Sequence, residues 1–263
     1  MNSLLTFDPA QMMGQQVFPS LLLFARLGSM LMVMPGIGQV FVPVRIRLLV
    51  ALSLVVLMMP PLRGVLPPQP EGLAELTALI VGECLIGIFI GTLARIMLSA
   101  LDTAGNVIAY QVGLNSAAIF NPAMAGQGSP PAAIIGMAGV LLFMAADLHH
   151  MMLRALADSY TTLKPGAALP VGEFSLGLAR LVGQTFMLGC ELAAPFLILM
   201  TVLYVGFGVI ARLIPQIQVF FLALPAQVWL GLVMMTVTIP LILVAWLQAF
   251  PAGMSVALGG TAP

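Results

Sequence analysis

Few residues in this 263-residue chain have side chains suited to chemistry: two histidines, two cysteines, nine basic and nine acidic residues. The histidines stand together in DLHH, where Asp147, His149 and His150 combine a carboxylate with two imidazoles, ligand types that hold transition metals. Adjacent residues on a helix point in different directions, and a metal site needs further ligands that the chain scarcely has. Interfacial hydrogen bonding at a helix end is therefore the expected role of DLHH, with no metal and no cofactor. Cys84 and Cys190 lie inside apolar stretches, where small buried thiols are expected rather than a disulfide or a ligand pair. There is no HExxH, GxSxG or GxxxxGK, and no GxGxxG after a strand, so the motifs of metalloproteases, serine hydrolases and nucleotide-binding enzymes are missing. The chemistry argues against an enzyme.

The other ionisable groups stand where charge is expensive. Arg26 lies in LLLFARLGSM, Glu83 in LIVGECLIG, Arg95 in GTLARIML, Arg180 in LARLVG and Glu191 in LGCELAAPF. A charge at the centre of a bilayer costs about 2.5 kcal/mol or more on insertion scales. These side chains should face protein, water or one another, and Arg–Glu contacts between helices or across a subunit boundary are the cheapest solution.

The elements that must position them follow from composition. The chain is 61% hydrophobic and 7% charged, far from the roughly 25% charged content of soluble domains. A fold of this length has too little interior to hide that much apolar surface, so lipid or a large protein partner must cover the rest. Formal net charge is zero, which implies no nucleic-acid partner. The N-terminus MNSLLTFDPAQMM lacks a basic n-region and does not read as a cleaved signal peptide.

Spans of about 20 apolar residues are expected at 17–34, 46–62, 73–100, 132–148, 176–211 and 217–250, the last long enough for two helices or a hairpin. Six to eight apolar helices result, an all-α polytopic membrane fold. MPGIGQVFVP, PPLRGVLPPQPEG and KPGAALPVGE carry the Pro and Gly of breaks between them. Pro195, Pro215, Pro225 and Pro240 interrupt the C-terminal third, and carbonyls freed by proline need partners in a hydrocarbon setting. Broken helices therefore favour an assembly. Gly87 and Gly91 form a GxxxG pair for helix packing. The basic residues Arg45, Arg47, Arg63, Arg154 and Lys164 are spread over three breaks, so no orientation follows from them. Nineteen methionines suit surfaces that part and reseal as well as ordinary apolar filling.

One connection stands apart. QVGLNSAAIFNPAMAGQGSPP, residues 111–131, carries no charge, yet its Gly, Asn, Ser and Pro content fits neither a helix nor an ordinary solvated loop.

The order of these segments is similar to that of a known family. ARLIPQIQVFFLALPAQVWLG (211–231) closely resembles the C-terminal signature of the FliR/SctT family, export-gate subunits of flagellar and related type III secretion systems. The resemblance runs back through AAPFLILM, DLHHMMLRALADSY, YQVGLNSAAIFNP, GECLIGIFIG and ARLGSMLMVMPGIGQVFVPVRIRL, collinear over nearly the whole chain. Gln218 and Asn121 depart from the family pattern.

The resemblance implies a FliP-like part, about 1–185, followed by a FliQ-like helical hairpin, about 186–263. It implies a non-enzymatic gate subunit at the bacterial inner membrane, in the flagellar basal body. Its partners there would be FliP-, FliQ- and FlhB-like membrane subunits, lipid and unfolded export substrates. Helices that look transmembrane would then be covered largely by sister subunits, in a helical complex above the membrane plane. By position, 111–131 corresponds to the loop that closes the pore as a plug, with Gly113, Leu114, Asn115, Ile119, Phe120, Asn121 and Pro122 as plug residues. A charge in an occluded lumen would be penalised by desolvation, whereas Leu114, Ile119 and Phe120 can seal by contact. Arg26, Glu83, Arg95, Glu191, Arg212, Pro215 and Gln216 are the expected buried-charge and subunit-contact residues. A virulence-type injectisome subunit is the alternative within the family. A small-solute secondary transporter would also use broken helices and intramembrane charge, but no repeat or compact polar cluster accompanies them here.

Overall fold

The computed structural model describes residues 9–62, 64–114, 129–214 and 219–257. Among them the chain is all-α, in seven helices: α1 (Pro9–Val33), α2 (Val44–Leu62), α3 (Leu73–Val112), α4 (Pro130–Ala145), α5 (Leu148–Thr162), α6 (Val171–Leu213) and α7 (Val219–Ala257). Four are long and apolar enough to cross a membrane, α2, α3, α6 and α7, or five spans if α4 and α5 count as one broken span.

The boundaries correct several expectations. The span expected at 73–100 continues to Val112, because LDTAGNVIAYQV keeps Leu101, Ala104, Ile108 and Val112 on one buried face at helical spacing. Where two helices or a hairpin were expected at 217–250, the described residues from Val219 onward belong to one 39-residue helix, Val219–Ala257, that runs through Pro225, Pro240 and Pro251, and α6 likewise continues through Pro195. Proline removes one N–H and strains one turn, but the apolar runs on both sides carry the helix across it. The span expected at 132–148 ends at Ala145; Asp147 takes a left-handed φ of 58°, and the separate helix α5 begins after it. That helix is amphipathic, with Leu148, Met152, Leu156, Ser159 and Tyr160 buried along one stripe.

Two compact units divide the chain, 1–95 with 147–175 and 96–146 with 176–263. In the first, α2 packs on α1, and Leu22, Leu27 and Met30 of α1 share the core with Ile86, Ile90 and Leu93 of α3 and Leu156 of α5. Phe89 stacks on Phe174 with centroids 4.1 Å apart. In the second, α4 packs on α7, and Trp246 is edge-on to Phe250, which is edge-on to Phe143. The indole N–H of Trp246 donates to the Met97 carbonyl at 2.8 Å, satisfying the only polar group of a fully buried ring.

Much apolar surface stays outside these cores. Phe186, Ile198 and Val202 of α6 are 62–68% exposed, and Val56 and Leu57 of α2 more than 70%. Contiguous apolar exposure of this kind marks surface meant for lipid or protein.

Candidate functional site: a buried charge clamp and the roots of a neutral loop

In the first unit the clamp begins with close backbone approach. Glu83, Gly87 and Gly91 recur every four residues and so share one face of α3. A β-carbon at Gly87 would overlap the Arg26 carbonyl and the Ser29 hydroxyl, and one at Gly91 would lie 2.7 Å from the Met30 carbonyl. With α1 and α3 this near, the Arg26 guanidinium meets the Glu83 carboxylate fork to fork: Nε donates to Oε2 at 2.7 Å and Nη2 to Oε1 at 2.8 Å. Nη1 donates to Ser159 Oγ at 2.9 Å, and Nη2 also donates to the Leu163 carbonyl at 3.0 Å. Leu163 caps the C-terminus of α5, where the helix dipole favours a cation. The Tyr160 ring lies 3.8 Å from the guanidinium carbon, a cation–π contact. Arg26 is 0% and Glu83 1% exposed, so one cation ties α1, α3 and α5 together out of reach of water. A cavity of about 580 Å³ adjoins Glu83, with Glu75 and Lys164 also in its wall. Both Glu83 oxygens already accept from Arg26, so the cavity holds no uncommitted buried acid.

The other expected charges are placed differently. Arg95, Glu191 and Arg212 are exposed, and among the described residues none forms a salt bridge. Pro215 and Gln216 lie outside the described residues. Cys84 and Cys190 are free and half-buried, less enclosed than the apolar runs around them suggest. His149 and His150 lie side by side, ring centroids 4.2 Å apart, instead of diverging. They share the first turn of α5, and His150 Nδ1 lies 3.1 Å from Asp147 Oδ1. Ligand atoms of Asp147, His149 and His150 fall within 4.8 Å of one another. Asp147 and His150 are exposed, and the contact between them is a hydrogen bond at a helix end.

In the second unit lie the two roots of the neutral loop. Of its expected plug residues, Gly113 and Leu114 are described; Asn115, Ile119, Phe120, Asn121 and Pro122 lie outside the described residues. At the first root, α3 ends in a Schellman arrangement: Leu114 N–H donates to the Ala109 carbonyl at 3.1 Å and Gly113 N–H to the Tyr110 carbonyl at 3.3 Å. Gly113 supplies the left-handed residue that this motif needs, with φ 80°. The next carbonyl, that of Gln111, accepts from Gln227 Nε2 of α7, which also donates to Tyr204 Oη of α6 at 2.7 Å.

At the second root, Ser129 is the N-cap of α4. Its Oγ accepts from Ala132 N–H, and prolines occupy the first helical positions, where a missing N–H costs nothing. Ser129 Oγ donates in turn to Asn106 Oδ1 at 2.9 Å. A β-carbon at Gly105 would overlap the Ala132 backbone, so α3 and α4 touch directly beside that bond. The loop thus leaves and re-enters a fastened pair of helices.

Sequence reasoning passed over Ser159, Tyr160, Tyr204 and Gln227. Ser129-Pro130-Pro131 has the form of a helix start, and Gln227 is an amide within an apolar stretch; these are the signals that point to them. Nothing in the sequence marks the Gln111 carbonyl.

Comparison with known proteins covers almost the entire chain. A family model for bacterial export proteins, family 1, matches residues 17–252. The flagellar biosynthetic protein FliR of Caulobacter vibrioides is 37% identical over 235 residues, 89% of this chain and 94% of that protein. FliR of Aquifex aeolicus is 28% identical over 236 residues, 88% of each chain. Yop proteins translocation protein T of Yersinia pestis is 30% identical over 154 residues, 58% of this chain and 59% of that protein.

Proposed function

The chain belongs to the bacterial export proteins, family 1, and from that membership we propose that it is a core subunit of the flagellar type III protein export gate at the bacterial inner membrane. The observation that carries this reading is the match to a flagellar biosynthetic protein over 94% of that protein's length. It is a structural component of the export apparatus rather than a catalyst. Its partners are FliP-, FliQ- and FlhB-like membrane subunits, and its cargo is unfolded flagellar protein. The chain divides into a FliP-like part to about residue 185 and a FliQ-like hairpin beyond it. The exposed apolar faces of α2 and α6, with Arg95, Glu191, Arg212, Pro215 and Gln216, meet lipid and sister subunits, while the Arg26–Glu83 clamp holds the subunit itself together.

Within the gate, residues 111–131 act as the plug. A channel wide enough for an unfolded chain excludes ions only if side chains fill it, and Leu114, Ile119 and Phe120 supply apolar ones without the desolvation penalty of a charge. Removing the segment while keeping α3 and α4 joined should leave a complex that assembles with its partners but passes small ions and dyes. Normal assembly with intact impermeability would make the loop a subunit contact instead. The relation to a Yop translocation protein favours a second reading, an injectisome subunit. Loss of motility on deleting the gene, with secretion of virulence proteins unchanged, selects the flagellar one.

A further inference from the structure

We infer that Gln227 is the positioning residue of the plug's first root, with Tyr204 orienting its amide; this deepens the plug reading and rests on it. The last carbonyls of a helix have no partner within the helix. At the end of α3 the chain closes those of Ala109 and Tyr110 by its own turn. The Gln111 carbonyl is closed from outside, by Gln227 and, at a longer 3.5 Å, by the Tyr204 hydroxyl. A primary amide has two N–H donors, and both of Gln227 are committed, one to Gln111 and one to Tyr204 Oη. Gln227 is 4% exposed, and a buried amide is tolerated only with its partners in place.

The seat around the amide is shaped to match. Gly231 lies one turn further along the same face of α7, and a β-carbon there would overlap the Val112 side chain. A β-carbon at Gly113 would lie 3.1 Å from Gln227 Nε2. One turn of α7 thus presents a donor and a flat surface to the last turn of α3, at the point where the chain leaves for the loop. A shift of α7 along α3 would part the Gln227–Gln111 bond and move the Gly231 seat off Val112 together. The bond is therefore the connection through which α6 and α7 set the start of the plug.

The test uses the complex co-expressed with its partner subunits, with dye permeability and export measured at equal amounts of assembled complex. Q227L should assemble normally and leak several-fold more than wild type, though less than the loop deletion. Combined with the deletion it should add nothing. Tyr204→Phe should leak less than Q227L. Gln111→Ala should not leak, because the acceptor is a backbone carbonyl. An impermeable Q227L beside a leaky deletion overturns the inference and leaves the plug intact. If the deletion itself does not leak, the plug reading fails, and amide exchange decides the fastening: Q227L should speed exchange at residues 112–114, and unchanged exchange there overturns it. Q227M keeps the side-chain length and takes the place of Q227L if that variant does not assemble; failure of both assigns Gln227 to folding rather than positioning.

Discussion

Helix α3 is fastened twice, by opposite chemistry. Its first half, in one compact unit, is held by a charged clamp in which Arg26 and Glu83 are 0% and 1% exposed and every strong contact converges on one guanidinium. Its second half, in the other unit, is held by neutral groups: the Gln227 amide, the Ser129–Asn106 hydrogen bond and glycine seats at 105 and 231. A buried ion pair adds little net stability, but stranding one member is severe, so parting Arg26 from Glu83 is heavily penalised. Neutral hydrogen bonds are each worth about 0.5–1.5 kcal/mol and can be exchanged for water one at a time. A permanent joint suits the first and a releasable one the second, where the proposed plug begins.

The sharpest way to break that contrast is at the clamp. Glu83→Leu should destabilise the subunit by about 3–5 kcal/mol, the effect of leaving a buried charge unpaired, and should be read as loss of complex yield and lowered thermal stability in detergent. The double variant Arg26→Leu with Glu83→Leu should recover much of that loss, since no lone charge remains. Equal yields for the single and double variants would show that hydrogen bonds to Ser159 and Leu163, not charge, dominate. Gly87→Ala comes next. Its methyl would overlap the Arg26 carbonyl, and overpacking of this kind costs about 1–3 kcal/mol, measurable as a lower midpoint of thermal unfolding.

On the neutral side the effects should be smaller. Ser129→Ala removes the cap of α4 and the bond to Asn106, a loss of about 1 kcal/mol, seen as faster amide exchange in the first turn of α4 with assembly preserved. A loss as large as that from Glu83→Leu would erase the distinction between the two joints. Arg95→Leu and Glu191→Leu are exposed changes and should alter the subunit's own stability by less than about 0.5 kcal/mol. Their effect should appear as reduced recovery of the complex with its partners, the readout that separates a subunit contact from a core residue.

Much of the architecture was legible because hydrophobic runs and proline–glycine breaks are local signals. The all-α membrane fold, the breaks near 34–43, 60–72 and 164–173 and the oddness of 111–131 come directly from them. Where those signals conflict with helix continuity, the reading stopped short. The span expected to end at residue 100 continues through LDTAGNVIAYQV, whose Gly105 is the seat for Ala132 and whose Asn106 accepts from Ser129. Amphipathic α5 lies outside the expected spans because its polar face breaks the apolar run.

The sequence by itself determined that charges such as Arg26 and Glu83 stand in apolar helices and need compensation, because the penalty for burying charge depends only on residue type and surroundings. It also determined the family, through motifs in collinear order. Only the tertiary structure decided which charges find each other. Arg26 and Glu83 meet because glycines at 87 and 91 let two helices touch, while Arg95 and Glu191 remain on the surface. The same holds for Gln227, whose partner is a main-chain carbonyl 116 residues away. Every residue has such a carbonyl, so the choice among them belongs to packing.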